Sequence, residues 1–173
     1  MEPASVTTGR EAIPVVPTAF GDRSDYVAFC NAVARVSHVE TKSPLFEVLL
    51  KRIQSEQSDA IISTPWGGVV IESLRNNATE VKKNLVVKQG MYLAFEKHDE
   101  KVETLSWKEG KGVLVYRSSK EDALQTAIIE EGFEITLRPG QEHTIIAISN
   151  LVVWEESLDP KGMDRDLIFI FEP

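Results

Sequence analysis

Two of the chain's three histidines stand beside carboxylates at a spacing that could do chemistry. In the run Gly90-Met-Tyr-Leu-Ala-Phe-Glu96-Lys-His98, residues two apart face the same side of a strand, so Glu96 and His98 point together, with Tyr92 and Ala94. A tight turn over 99–102 returns the chain, and Glu103 enters the next strand close to His98. The third element is His143, which opens a strand after the turn Arg138-Pro139-Gly140. Sequence distance alone does not bring His143 to Glu96; a closed barrel would. Two carboxylates about 5 Å apart repel by roughly 3 kcal/mol at an effective dielectric of about 20. An interior that collects Glu96 and Glu103 therefore needs a cation, a shared proton or a buried Lys or Arg.

The elements that must position these groups change character along the chain. Residues 1–22 are rich in Pro, Thr and Gly and read as an extended arm, with a short edge strand over 12–16. Asp22 or Ser24 caps a predicted helix running to about Ser37, with Tyr26, Phe29, Cys30, Val33 and Ala34 at helical spacing. Ser43 and Pro44 open a second helix, whose stripe is Leu45, Phe46, Leu49, Leu50 and Ile53. The helical segment spans 23–60. From 61 to 173, short apolar or alternating runs separated by turn residues indicate an all-β sandwich or barrel. The predicted strands are 67–71, 79–87, 91–98, 103–107, 112–117, 123–129, 133–137, 143–148, 151–154 and 166–171.

The two motifs resemble those of the cupins. The first cupin motif runs Gly, five residues, a ligand, one residue, His, three or four residues, Glu, six residues, Gly; Gly90, Glu96, His98, Glu103 and Gly110 fit it. The second ends in a Pro/Gly turn and a His, matched by Pro139, Gly140 and His143, with Arg138 and Ala147 where Pro and Asn usually fall. Thr64-Pro65-Trp66-Gly67 is similar to the Pro-Trp-Gly stretch of the type II mannose-6-phosphate isomerase cupin domain, whose first ligand is Gln where this chain has Glu96. The resemblance covers roughly 63–171. It implies a mostly β, jelly-roll barrel with an N-terminal helical segment, and one divalent metal on Glu96, His98, Glu103 and His143. Two imidazoles and two carboxylates suit Zn, Mn, Fe, Ni or Co.

The resemblance also implies a small polar metabolite as substrate, with isomerase chemistry of the sugar or sugar-phosphate kind. The alternatives are an iron-dependent dioxygenase and a non-catalytic cupin used for binding or assembly. The departures weaken the isomerase: its basic cluster beyond the last ligand has no counterpart here, and Val102, Thr104 and Leu105 replace its aromatic and basic residues around the Glu. No catalytic acid or base stands out. Tyr92, Trp107 and Ser149 are candidate substrate contacts, against plainer readings as core aromatics and a strand-end hydroxyl. Lys97 faces away from the ligand side. Lys108, Glu109 and Lys111 read as a solvated hairpin, His38 as a loop residue and Cys30 as a small core residue.

Composition narrows the class. A net charge of −8, with no concentrated basic stretch, disfavours nucleic acid. One cysteine forms no internal disulfide and no thiolate zinc site. No apolar run approaches the ~20 residues that span a bilayer, and the first ten residues do not read as a signal peptide. The expectation is a cytoplasmic protein with a small-molecule substrate and no membrane partner. Cupins dimerise through the barrel edge, so the resemblance also implies a homodimer.

Overall fold

The computed structural model describes residues 13–36 and 42–173. His38 and the start of the arm lie outside them. Residues 13–16 form no strand. Helix α1 (Arg23–Ala34) starts where the Asp22 carboxylate accepts the Asp25 amide, and α2 (Pro44–Ser55) starts with Pro44. The amides of Leu45 and Phe46 in the first turn of α2 donate to Glu109, at 3.1 and 2.8 Å. Glu109 thus caps a helix more than 60 residues away instead of belonging to a solvated hairpin.

Eleven strands follow: β1 (Ile61–Thr64), β2 (Gly67–Arg75), β3 (Glu80–Val87), β4 (Phe95–His98), β5 (Val102–Glu109), β6 (Gly112–Arg117), β7 (Gln125–Ile129), β8 (Glu134–Leu137), β9 (Glu142–Ala147), β10 (Leu151–Leu158) and β11 (Leu167–Phe171). They form two antiparallel sheets, ordered β1-β2-β3-β10-β5-β8 and β11-β4-β9-β6-β7. The expected strand at 91–98 is shorter: only Phe95–His98 is regular, with a single bridge from Tyr92 to Ile146 ahead of it. β1 is absent from the expected strands, because Ile61-Ile-Ser-Thr64 is too short to show a period.

The sheets face each other across a core of residues such as Val69, Leu85, Trp107, Leu114, Ile145 and Val153. The helices cover opposite outer faces. Tyr26, Phe29 and Val33 of α1 pack on Phe95, Val113 and Ile146 of one sheet. Phe46, Leu49 and Ile53 of α2 pack on Val70, Val86 and Val152 of the other. Both sheets are therefore apolar on two sides, which explains continuous runs such as Leu85–Val87 and Val113–Val115 where strict alternation would mark a solvated face.

The Pro65-Trp66 turn between β1 and β2 has a local cause. Gly67 has φ +141°, and a Cβ there would stand 2.0 Å from the Val86 carbonyl oxygen. Only glycine lets β2 cross β3 so closely. Trp66 then accepts the Lys88 amide at 2.8 Å through its carbonyl, and its side chain reaches the interior.

Candidate metal centre

Glu96 and His98 share one face of β4, as strand alternation requires. Glu96 lies directly opposite His143 in the β4–β9 ladder. One donor atom from each of Glu96, His98 and His143 falls within 4.8 Å of the others. Glu103 comes from the facing sheet. Its Oε1 is 2.9 Å from His143 Nε2, while Glu96 Oε1 is 3.8 Å from the same nitrogen. The structure thus gathers three of the four expected ligands into one group, with Glu103 against His143 on the other side.

Hydrogen bonding fixes what the imidazoles offer. His98 Nδ1 is 2.9 Å from Asp166 Oδ1. Asp166 also accepts the amides of Glu100 and Lys101, which hold its carboxyl below the usual range against the opposing effect of burial. An ionised carboxylate only accepts, so His98 Nδ1 carries the hydrogen and Nε2 keeps a lone pair. His143 Nδ1 is 3.2 Å from the Gln141 carbonyl oxygen, with the same consequence. Carboxylate or carbonyl support behind each imidazole is what metal-binding histidines use.

The residues fit a divalent ion. Glu103 Oε1 is buried without a hydrogen-bond partner, although His143 Nε2 stands at bonding distance. Distance alone does not make that contact a bond: with the His143 hydrogen on Nδ1, two lone pairs face each other. A second proton on the ring or a metal ion relieves them. Donors ~2.1 Å from one ion at a right angle stand about 3 Å apart. Burial opposes protonation of His143, but Glu103 and then Glu96 overcome it and raise its pKa. Burial lowers that of His98 and keeps it neutral. Burial likewise pushes the Glu96 carboxyl up to about 7, with Glu103 adding to the effect and His143 opposing it.

A second charged group abuts the first. Lys101, 2% exposed, reaches Glu103 at 3.0 Å, Glu155 at 2.9 Å and Asp164 at 2.9 Å. Lys83 reaches Glu155 at 3.0 Å and Asp164 at 2.6 Å. Burial would raise every carboxyl here. The Lys101 ammonium reverses that for Glu103, which titrates well below the usual range. Lys101 and Lys83 together hold Asp164 down at about 2. Glu155 is pushed up to about 8, by burial first and by Glu103 beside it. Of the three ways to reconcile Glu96 with Glu103, the buried lysine is therefore present, serving Glu103.

Lys83, Lys101, Glu155, Asp164 and Asp166 are site residues that sequence reasoning misses. Two of them carry a signal. Lys83 alternates with Val81 and Leu85, and Glu155 with Val153 and Ser157, so both are charges on inward positions of strands. Lys101, Asp164 and Asp166 sit in turns, where no period reveals direction.

Both groups border an interior cavity of about 630 Å³ between the sheets. Tyr92 lines it, as does Trp66 of the Pro-Trp-Gly stretch. Trp107 is 1% exposed and packs edge-on against Phe133 within the core. Ser149 Oγ accepts the Lys111 amide at 2.8 Å. Neither of these two lines the cavity, and both match their plainer readings. His98 does not line it either.

No family model matches the chain, and no curated protein sequence matches it. Solved structures do. The capsular polysaccharide assembling protein CapF from Staphylococcus aureus aligns with TM-score 0.56 and 16% identity, over 64% of this chain and 34% of that one. A point mutant of Bacillus subtilis oxalate decarboxylase aligns with TM-score 0.54 and 18% identity, over 69% of this chain and 31% of that one. Another structure of the decarboxylase, at the same TM-score and identity, concerns its Mn(II) centres. The chain spans about a third of the length of each. At these identities the likeness establishes the fold, which is the cupin jelly roll.

Proposed function

We propose that this cupin-fold chain is a metal-dependent protein that holds one divalent transition-metal ion on Glu96, His98 and His143, with Glu103 completing the donor set, and acts on a small metabolite. The observation that carries the reading is the convergence of Glu96, His98 and His143, each imidazole with Nδ1 committed to an acceptor, with Glu103 Oε1 standing 2.9 Å from His143 Nε2. The Mn(II) centres of the decarboxylase with the same fold support a metal without identifying it. Once bound, such an ion supplies a Lewis acid that polarises substrate oxygens and steadies enediolate-like charge.

The chain's own residues do the rest. Asp166 fixes the His98 ring and Gln141 the His143 ring. Lys101 keeps Glu103 ionised by neutralising it from the side away from His143. Isomerisation of a sugar-like substrate is the chemistry the sequence resemblance implied. The phosphorylated form of that substrate is the less favoured one, because both lysines lining the cavity are already paired with carboxylates. A cytoplasmic location, argued from composition, and a homodimer, argued from the resemblance alone, are part of the same proposal.

Elemental analysis of protein purified without a His tag or chelator tests the metal. The expected result is one transition-metal ion per chain, lost in His98→Ala and His143→Ala. Metal-free protein that also fails to take up Mn, Fe, Co, Ni or Zn on dialysis would overturn the reading.

A further inference from the structure

Resting on the proposed metal site, we infer that the cavity takes a metal-chelating ligand with an apolar body, not a sugar phosphate. Three observations point this way. The first is the wall. Away from the charged end, the cavity is bounded by Val69, Leu85, Leu93, Leu105 and Ile145, drawn from both sheets, and its lining is predominantly apolar. A sugar has hydroxyls on every side, and these walls offer few groups to satisfy them. The wall is also held in place. Leu93, which precedes β4, has its carbonyl bonded by the Tyr26 hydroxyl and by Thr144 Oγ1, the latter at 3.1 Å.

The second observation is charge. With every group ionised, the cavity is lined by the carboxylates of Glu96, Glu103, Glu155 and Asp164 against the ammoniums of Lys83 and Lys101. A divalent ion brings that set to neutrality, or to a single positive charge where burial keeps the proton on Glu155. A phosphate dianion would then add two charges for which the described lining residues hold no uncommitted cation. A neutral chelator, or one that loses a single proton on binding, adds at most one charge, at the ion itself.

The third is the rim. β1 and β11 are the outer strands at one edge of their sheets. Ile62 of β1 is 40% exposed and Phe169 of β11 is 54% exposed, and both line the cavity. Exposed apolar side chains that continue an interior apolar wall mark where an apolar group passes or rests. The volume of about 630 Å³ is that of a site for a drug-sized molecule.

Alkyl hydroxamates test this, because the chelating head stays constant while the tail grows. Acetohydroxamate and hexanohydroxamate differ by four methylenes, each worth about fourfold in affinity when buried. Calorimetry on the Mn- or Zn-loaded protein is expected to show hexanohydroxamate binding at least tenfold tighter, with mannose 6-phosphate weaker than either. Ile62→Ser and Phe169→Ser, both at exposed positions, are each expected to narrow the ratio. Equal affinity for the two hydroxamates, or mannose 6-phosphate binding as tightly as the longer one, overturns the inference. If the protein takes up no metal, the metal reading fails by itself, and the apolar chamber is then read with hexan-1-ol on the metal-free chain. Shifts of the Leu93 and Leu105 methyl resonances on hexanol addition uphold the apolar occupant; unmoved resonances sink it.

Discussion

The two charged groups at the end of the cavity are neighbours with opposite characters. In one, Lys83 and Lys101 meet Glu103, Glu155 and Asp164 at 2.6–3.0 Å, so every ammonium is matched inside the protein. In the other, donor atoms of Glu96, His98 and His143 gather within 4.8 Å of one another, and among the described residues no lysine or arginine is bonded to them. The first group is complete and serves stability. The second is incomplete, which is why the proposed ion is placed there. Buried charge by itself marks neither structure nor function; the distinction lies in whether the chain supplies the counter-charge.

The largest test of this contrast is Lys101→Met. It leaves the buried Glu103 without a lysine, and Glu155 and the part-exposed Asp164 with Lys83 alone, and a loss of about 3–5 kcal/mol in denaturant unfolding is expected. Glu96→Gln should cost far less or even stabilise the metal-free protein. If Glu96→Gln costs as much as Lys101→Met, the two groups are not different in kind.

Titration separates Glu96 from Asp164 next, while Glu155 of the lysine group, pushed up to about 8, shifts in the same direction as Glu96. Glu96 has its folded pKa raised from 4.5 to about 7. Its contribution is therefore fully present below pH 4.5 and is lost as pH rises to about 7, a change of about 3 kcal/mol at about 1.4 kcal/mol per pKa unit. His143, also raised, extends the loss above its ordinary value. Asp164 runs the other way: held at about 2, it stabilises above pH 3.8 and loses that effect as pH falls toward 2. Metal-free protein should thus be most stable in mild acid, with Glu96→Gln flattening the slope between pH 4.5 and about 7. A profile that rises steadily to about pH 8 contradicts this.

Metal should restore what neutral pH removes. At a free ion concentration of about 100 times its Kd, a gain of about 2.7 kcal/mol is expected. His98→Ala should abolish that gain. Lys83→Met, once corrected for its own lower stability, should keep most of it. The smallest effect sharpens the contrast from outside. Lys82 and Glu156 occupy the register position next to Lys83 and Glu155 on the same two strands, but face solvent at 4.0 Å. A double-mutant cycle on this pair should give under about 0.5 kcal/mol.

Much of this arrangement can be read from the sequence, because strand alternation is a local rule. It puts Glu96 beside His98, and the turn signals place most strands within a few residues. The barrel that the resemblance implies does bring His143 opposite Glu96. The lysine group is harder to see. Lys83 stands in the pair Lys82-Lys83 and Glu155 in the run Trp154-Glu155-Glu156, although both occupy inward positions of their strands. Lys101 and Asp164 escape periodicity altogether, since a turn residue's direction is set by contacts made elsewhere. Asp164 shows this plainly: it adopts φ 55°, a left-handed conformation for a residue with a side chain, and from there its carboxylate meets both lysines.

The carboxylate at the start of α2 has a consequence for how the chain acquires its shape. Glu109 sits at the far end of β5, so the first turn of α2 receives two of its hydrogen-bond acceptors only after that strand has reached its place. An isolated helix of 12 residues is marginal in water. Although α2 leaves the ribosome before any strand of the barrel, its lasting formation is coupled to that of β5, and the outer layer is expected to consolidate in the same step as the sheet beneath it.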